Sequence, residues 1–167
     1  TDNYTLAAVY QMIDNTSSCG IYKASTSTSG EYFLFENRSA GGYDEGLNYL
    51  IYDNSSSEVV GTKYTGGLAV WHIKDILSSC YNTQIPDTYN KCMALSPPLV
   101  DLEEANNADL DNVSIKGRTT HLFFIGNSVT FDNSSTPNSN LYDNTSSGIS
   151  LTNISAAGDN MTLTISK

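Results

Sequence analysis

The chain has 167 residues, with 8 Lys and Arg against 18 Asp and Glu, a net charge of −10 at neutral pH. That length predicts one domain, spanning 1–167, with a single sizeable core. The acid excess excludes the basic stripe that nucleic-acid binding needs, and no apolar run is long enough to span a membrane. Charged residues are only 16% of the chain, while Ser, Thr and Asn make up about a third, so solubility rests on hydroxyls and amides more than on ions. No basic segment precedes an apolar one as a signal peptide requires, and the opening Thr1 reads as a processed or truncated product.

The hydrophobic pattern is short-period, which predicts strands. Residues 4–10 (YTLAAVY) and 31–37 (EYFLFEN) are β-rich runs bounded by turn formers. In the second, Tyr32 and Leu34 alternate with Phe33 and Phe35, so both faces are expected to be covered. After a Gly-punctuated loop and a polar insertion, GGLAVWHI (66–73) is a second central strand and HLFFIG (121–126) a third. Helical signal is confined to DILSSCYN (75–82) and to VDLEEANNADL (100–110), the latter a short helix or an acidic loop. The end is the clearest stretch. Ile149 and Leu151, then Met161, Leu163 and Ile165, alternate on either side of a turn-like AAGDN, the pattern of a hairpin with one buried face. The fold class expected is mainly β, a sandwich-like antiparallel domain with little helix.

Three features point to an extracellular location. Cys80 and Cys92 close a short polar loop containing Pro86, and a disulfide there would contribute about 3 kcal/mol; Cys19 is left over. Sequons for N-linked glycans occur at Asn3, Asn15, Asn37, Asn54, Asn112, Asn133, Asn144, Asn153 and Asn160, where chance would place about four. Lysine is sparse and Tyr, Thr, Ser and Asn are abundant, a surface usage common to secreted β-domains.

EYFLFENRSAGGYDEGL followed by GGLAVWHI resembles a stretch of the immune inhibitor A family of secreted zinc metallopeptidases, E-Y-x-L-x-E-N-R, then G-[WYF]-D-x-G-L, then G-L-x-[VI]-[WY]-H-[IV]-D. VDLEEANNADLD is similar to the family's V-D-L-x-E-A-D-G. FDNSSTPNSNLYDNTSSGISLTNIS is similar to its F-x-D-x-S-x-P, Y-D-G-x-x-S-G-I-x-I-x-x-I-S closing segment. The order and spacing hold over most of 20–166. The resemblance implies the β-rich region downstream of a catalytic helix. The family's zinc site is H-E-x-x-H, two histidines one helical turn apart with a Glu as base. This chain carries only His72 and His121 and no such motif, so neither zinc nor peptidase activity is expected of it. Two further departures are Lys74 in WHIK, where the family has an acid, and ANNAD in place of its A-D-G.

Asp44 and Glu45, beside two glycines, suit calcium ligands or an acid paired with Arg38 at a catalytic-domain interface, and otherwise a solvated tight turn in which Asp44 bonds its own backbone. Glu36 and Arg38 share one strand face and suit a structural charge pair. His72 suits a satisfied core position better than a metal ligand. Candidate calcium ligands are the acids Asp44, Asp101, Glu103, Asp109, Asp111, Asp132 and Asp143, with Glu104 beside them, since calcium takes six to eight oxygens; no D-x-[DN]-x-[DN]-G loop accompanies them. No G-x-S-x-G elbow occurs. The function expected is a non-catalytic accessory or binding module that partners a peptidase domain. The alternative is a glycosylated structural subunit that partners copies of itself, with YTLAAVY supplied to a neighbour's sheet edge.

Overall fold

The computed structural model describes residues 1–8, 20–42, 44–45, 65–75, 97–110 and 117–167. Among them the protein is mainly β, as expected. The strands are β1 (Asp2–Ala7), β2 (Ile21–Ser25), β3 (Glu31–Arg38), β4 (Gly67–Lys74), β5 (Val100–Leu102), β6 (Ser150–Thr152) and β7 (Asn160–Ser166). The described residues contain no α-helix, and a 3-10 turn stands at Thr119–His121. Two antiparallel sheets form, one ordered β1-β7-β6 and the other β2-β3-β4-β5. Cys19, Cys80 and Cys92, the sequons at Asn15, Asn54 and Asn112, Asp111 and most of 75–82 lie outside the described residues.

One core joins the two sheets. Leu6, Met161, Leu163, Ile165 and Leu151 from the first face Ala24, Phe33, Phe35, Leu68 and Val70 from the second. Phe123 and Phe131 fill the middle, Phe131 meeting both Phe33 and Phe123 edge to face with centroids 5.5 and 5.7 Å apart. The C-terminal hairpin is as the alternation predicts: Leu151 pairs with Ile165, and Ile149, Leu151, Met161, Leu163 and Ile165 are all buried.

β3 and β4 pair along their whole length, from Glu31 opposite Lys74 to Arg38 opposite Gly67. Glu31, Phe33, Phe35 and Asn37 point inward and are fully buried, whereas Tyr32 and Leu34 on the other face are half-buried. The expectation that both faces are covered is therefore met fully on the inward face and in part on the other, where Glu36 is buried. Gly66 leads into β4 at φ 80°, and a Cβ there would stand 2.3 Å from the Arg38 carbonyl oxygen, so the turn requires glycine.

Two expectations change. HLFFIG is not a strand: Phe123 exchanges two 2.9 Å backbone hydrogen bonds with Leu68 and the pairing stops there. The 3-10 turn precedes it, and the Asn127 amide takes the carbonyls of Thr120 and Leu122 at 2.8 and 2.7 Å, which bends the segment away. VDLEEANNADL is neither helix nor wholly loop. Its first three residues add β5 to the edge of the sheet, and Asn107 in the left-handed region (φ 53°) turns the chain afterwards. Of YTLAAVY, residues 4–7 belong to β1, an edge strand that pairs on one side with β7 from Asp2–Ile165 to Ala7–Asn160, with Leu6 and Ala7 buried.

The sequon at Asn37 is also corrected. Asn37 is fully buried, and its Nδ2 donates to the carbonyls of Leu6 (2.8 Å) and Gly158 (3.1 Å). That amide ties β3 to the other sheet and is inaccessible to a glycan in the folded chain. Asn3, Asn133, Asn144, Asn153 and Asn160 are exposed.

Candidate functional site

The inward-facing row of the larger sheet is apolar for most of its length and becomes ionic at one end. Strand register places Phe33 opposite His72, Glu31 opposite Lys74, and His72 opposite Asp101. Glu103 follows two residues after Asp101, and so faces the same way. His72 is 1% exposed. Its Nε2 lies 3.0 Å from Glu31 Oε1 and its Nδ1 lies 3.1 Å from Glu103 Oε1. An ionised carboxylate only accepts, so each contact is a hydrogen bond when the facing nitrogen carries a proton. Lys74 Nζ donates to the second oxygen of Glu31.

Tyr142 closes this end from a distant loop. Its ring stacks on His72 with centroids 4.0 Å and planes 1° apart. Its backbone N–H donates to Glu31 Oε1 at 2.8 Å, and its hydroxyl reaches Asp101 Oδ2 at 3.4 Å. Burial pushes the Tyr142 phenol up, and the acids Asp101, Glu103 and Glu31 push it further. Glu31 goes the other way. Burial raises it, but the Lys74 ammonium, the Tyr142 N–H and His72 together outweigh that and hold it below the ordinary carboxylate value. Glu104, turned aside to accept the Leu110 N–H at 2.9 Å, is raised by burial and by neighbouring Asp101 and Glu103.

Beside His72 and Tyr142 opens a cleft of 290 Å³, bounded by Glu103 on the sheet side and by the loop of Thr136, Pro137 and Leu141 on the other. The Thr136–Pro137 peptide is cis.

A second charged joint lies on the opposite face. Arg38 Nη1 donates to Glu36 Oε1 at 3.0 Å and Nη2 to Asp44 Oδ1 at 2.6 Å, while Trp71 Nε1 donates to Glu36 Oε2 at 2.8 Å. Asp44 thus pairs with Arg38 within this domain and is buried, in place of the expected solvated turn. Burial still raises its carboxyl, assisted by Glu36, against the pull of Arg38.

Of the other proposed calcium ligands, Asp101 and Glu103 meet at the His72 end. Asp132 and Asp143 each spend Oδ1 closing their own turn. Asp132 accepts from Ser134 N, Ser134 Oγ and Ser135 N, and Asp143 from Thr145 N and Oγ1. Both carboxyls are held low by those hydrogen bonds. Asp109 is exposed. Among the described residues, no three His, Cys, Asp or Glu side chains gather as a metal-holding group. Around His72 the reason is geometric: Glu31 and Glu103 sit on opposite ring nitrogens, so no single ion meets all three. His121 is structural as well, its Nδ1 accepting the Arg118 N–H at 3.1 Å, with burial and Arg118 holding it below the usual histidine value.

Sequence reasoning picked out His72 and Glu103 but missed Glu31 and Tyr142. The inward alternation 31, 33, 35, 37 carried a signal for Glu31, since it sets an acid at the end of an apolar row. Nothing in the sequence announced Tyr142, whose loop arrives from far along the chain. Comparison with family models, with curated proteins and with solved structures finds no match to this chain.

Proposed function

We propose that the chain is a non-catalytic, extracellular β-sandwich module of an immune inhibitor A-like protein, serving as an accessory or binding domain to a peptidase domain. The observation that carries this reading is the engagement of His72. The histidine of the motif WHIK is buried, clamped between two carboxylates of its own sheet and covered by Tyr142. It is built as an architectural joint. Arg38, from the motif ENR, is engaged in the same manner with Glu36 and Asp44. The segments bearing the resemblance supply β3, β4 and β5, which lie side by side. On this reading N-linked glycans occupy some of the exposed sequons.

The test has two arms. The coding sequence upstream of Thr1 is read for an H-E-x-x-H domain, and the purified chain is assayed on casein with and without added zinc. The expected outcome is an upstream peptidase domain that forms a stoichiometric complex with this chain, and no hydrolysis by the chain alone. Hydrolysis by the isolated chain, or a peptidase domain that does not bind it, would overturn the proposal.

A further inference from the structure

The cleft beside His72 and Tyr142 has a lining that selects by chemistry. Four asparagines, Asn107, Asn138, Asn140 and Asn144, line it together with Glu103 and Tyr142, the Asn138 Oδ1 being already engaged by the Asn140 N–H. An amide presents a donor pair and an acceptor side by side, the complement of two neighbouring hydroxyls on a ring. No Lys or Arg is among the described lining residues, so an anion meets no counter-charge. The Glu103 carboxylate already faces His72 Nδ1 at 3.1 Å, so a cationic ligand meets a charge that is shared. The half-buried Tyr142 ring adds an apolar surface of the kind that receives the C–H face of a sugar, with Leu141 and Pro137 buried beside it. A volume of 290 Å³ lies at the small end for ligand sites, room for one ring and not for an extended peptide.

The walls are fixed in advance. Asn138 Oδ1 accepts the Asn140 N–H at 3.0 Å, and Leu141 N–H donates to Thr145 O at 2.9 Å. Asn144 N–H donates to Leu141 O at 2.8 Å, and the buried Ser139 hydroxyl anchors the loop to Ile149 O at 2.7 Å. A site held in this way loses little freedom on binding.

We propose that this cleft binds a single neutral sugar ring. The inference rests on the reading of the chain as a non-catalytic binding module, and it adds a ligand class to it. It needs no covalent step.

The test is an NMR titration of the full chain, made in a host without N-glycosylation because exposed Asn144 is itself a sequon at the rim. The probes are glucose, galactose, mannose, N-acetylglucosamine and, as a peptide control, N-acetyl-trialanine amide. Saturable shifts of the backbone amides of 138–144 with at least one sugar are expected, in the millimolar range. Asn107 and Asn144 both hold left-handed backbone, at φ 53° and 64°, so the double variant Asn107→Gly/Asn144→Gly removes two amides without straining the chain. It should weaken binding about tenfold or more, while Ile125→Ser, which does not line the cleft, should leave it unchanged. No saturable response to any sugar, equal binding by the double variant, or saturation by the peptide alone overturns the proposal. The same samples are analysed for products with lactose and cellobiose. Cleavage would overturn the non-catalytic reading and leave the sugar site standing, whereas failure to bind a peptidase domain bears only on that reading.

Discussion

Tyr142 lies flat on His72, ring planes 1° apart and centroids at 4.0 Å, and through the same residue's N–H the loop also holds Glu31. One residue therefore binds the closing loop to two strands of the larger sheet, by its ring to β4 and by its backbone to β3. The backbone hydrogen bond survives any side-chain change, so the ring's share is separable. Tyr142→Ala should lower stability by about 2–3 kcal/mol, in the range for removing a part-buried aromatic ring. Tyr142→Phe loses only the long hydroxyl contact with Asp101 and should cost under about 1 kcal/mol. Urea unfolding of the two variants checks this; equal losses would show that the stacking contributes nothing of its own.

Glu31 gives the acid limb of stability a definite sign. Its carboxyl is held below the ordinary glutamate value of about 4.5 in the folded chain, so the folded state binds fewer protons there than the unfolded one. Its contribution is present above that value and is lost as pH falls through the lower folded value. Stability should decline below about pH 4.5 in the parent, and Glu31→Gln should flatten that decline. At neutral pH the same substitution leaves Lys74 and His72 without their shared carboxylate and should cost about 2–4 kcal/mol. Denaturation measured between pH 3 and 7 tests both, and an unchanged pH slope in the variant would falsify the assignment.

Arg38 and Asp44 should respond unequally. Burial raises the Asp44 carboxyl despite the guanidinium beside it, so its charge is held at a cost at neutral pH that protonation relieves. Asp44→Asn should change stability by less than about 1 kcal/mol, since Arg38 keeps Glu36. Arg38→Ala strands two partly buried carboxylates and should cost about 2–3 kcal/mol. Thermal or urea unfolding at pH 7 gives the comparison, and a larger loss for Asp44→Asn than for Arg38→Ala would contradict it.

For Asn37 the expectation concerns glycan occupancy as well as energy. In protein from a glycosylating host, glycopeptide mass spectrometry should find Asn37 unmodified. Asn37→Ala leaves the Leu6 and Gly158 carbonyls without their donor but also removes a buried Oδ1 that has no partner. The net loss should therefore sit near the low end for orphaned buried groups, about 1–2 kcal/mol. A glycan found on Asn37 in folded protein would show that this strand opens.

The fold was legible wherever alternation was uninterrupted. Phe33 and Phe35 in β3, Leu68 and Val70 in β4, and the row Met161, Leu163, Ile165 each declare a buried face through period two. The segment around Phe123 misled because three apolar residues in succession look like a strand, while its ending depends on Asn127 reaching back to two carbonyls. The charged joints were legible in part. Arg38 and Asp44 lie close along the chain, and local geometry alone brings them together. The His72 cluster required register between β3 and β4 and the arrival of a loop from 131–150, neither of which is written in any short window.

Because β1 pairs along its length with β7, residues 2–7 find their described strand partners in residues 160–165. The smaller sheet cannot close until nearly the whole of this sequence has left the ribosome, and until then Leu6 lacks the part of its core that Met161, Leu163 and Ile165 supply. The β3–β4 pair, by contrast, can form without waiting for β7. The larger sheet is thus available as a template during synthesis, and the smaller one completes the sandwich as a late, long-range step, the kind of topology that folds slowly. A chaperone acting on the nascent protein would find β1 without its β7 partner from its own synthesis until that of β7.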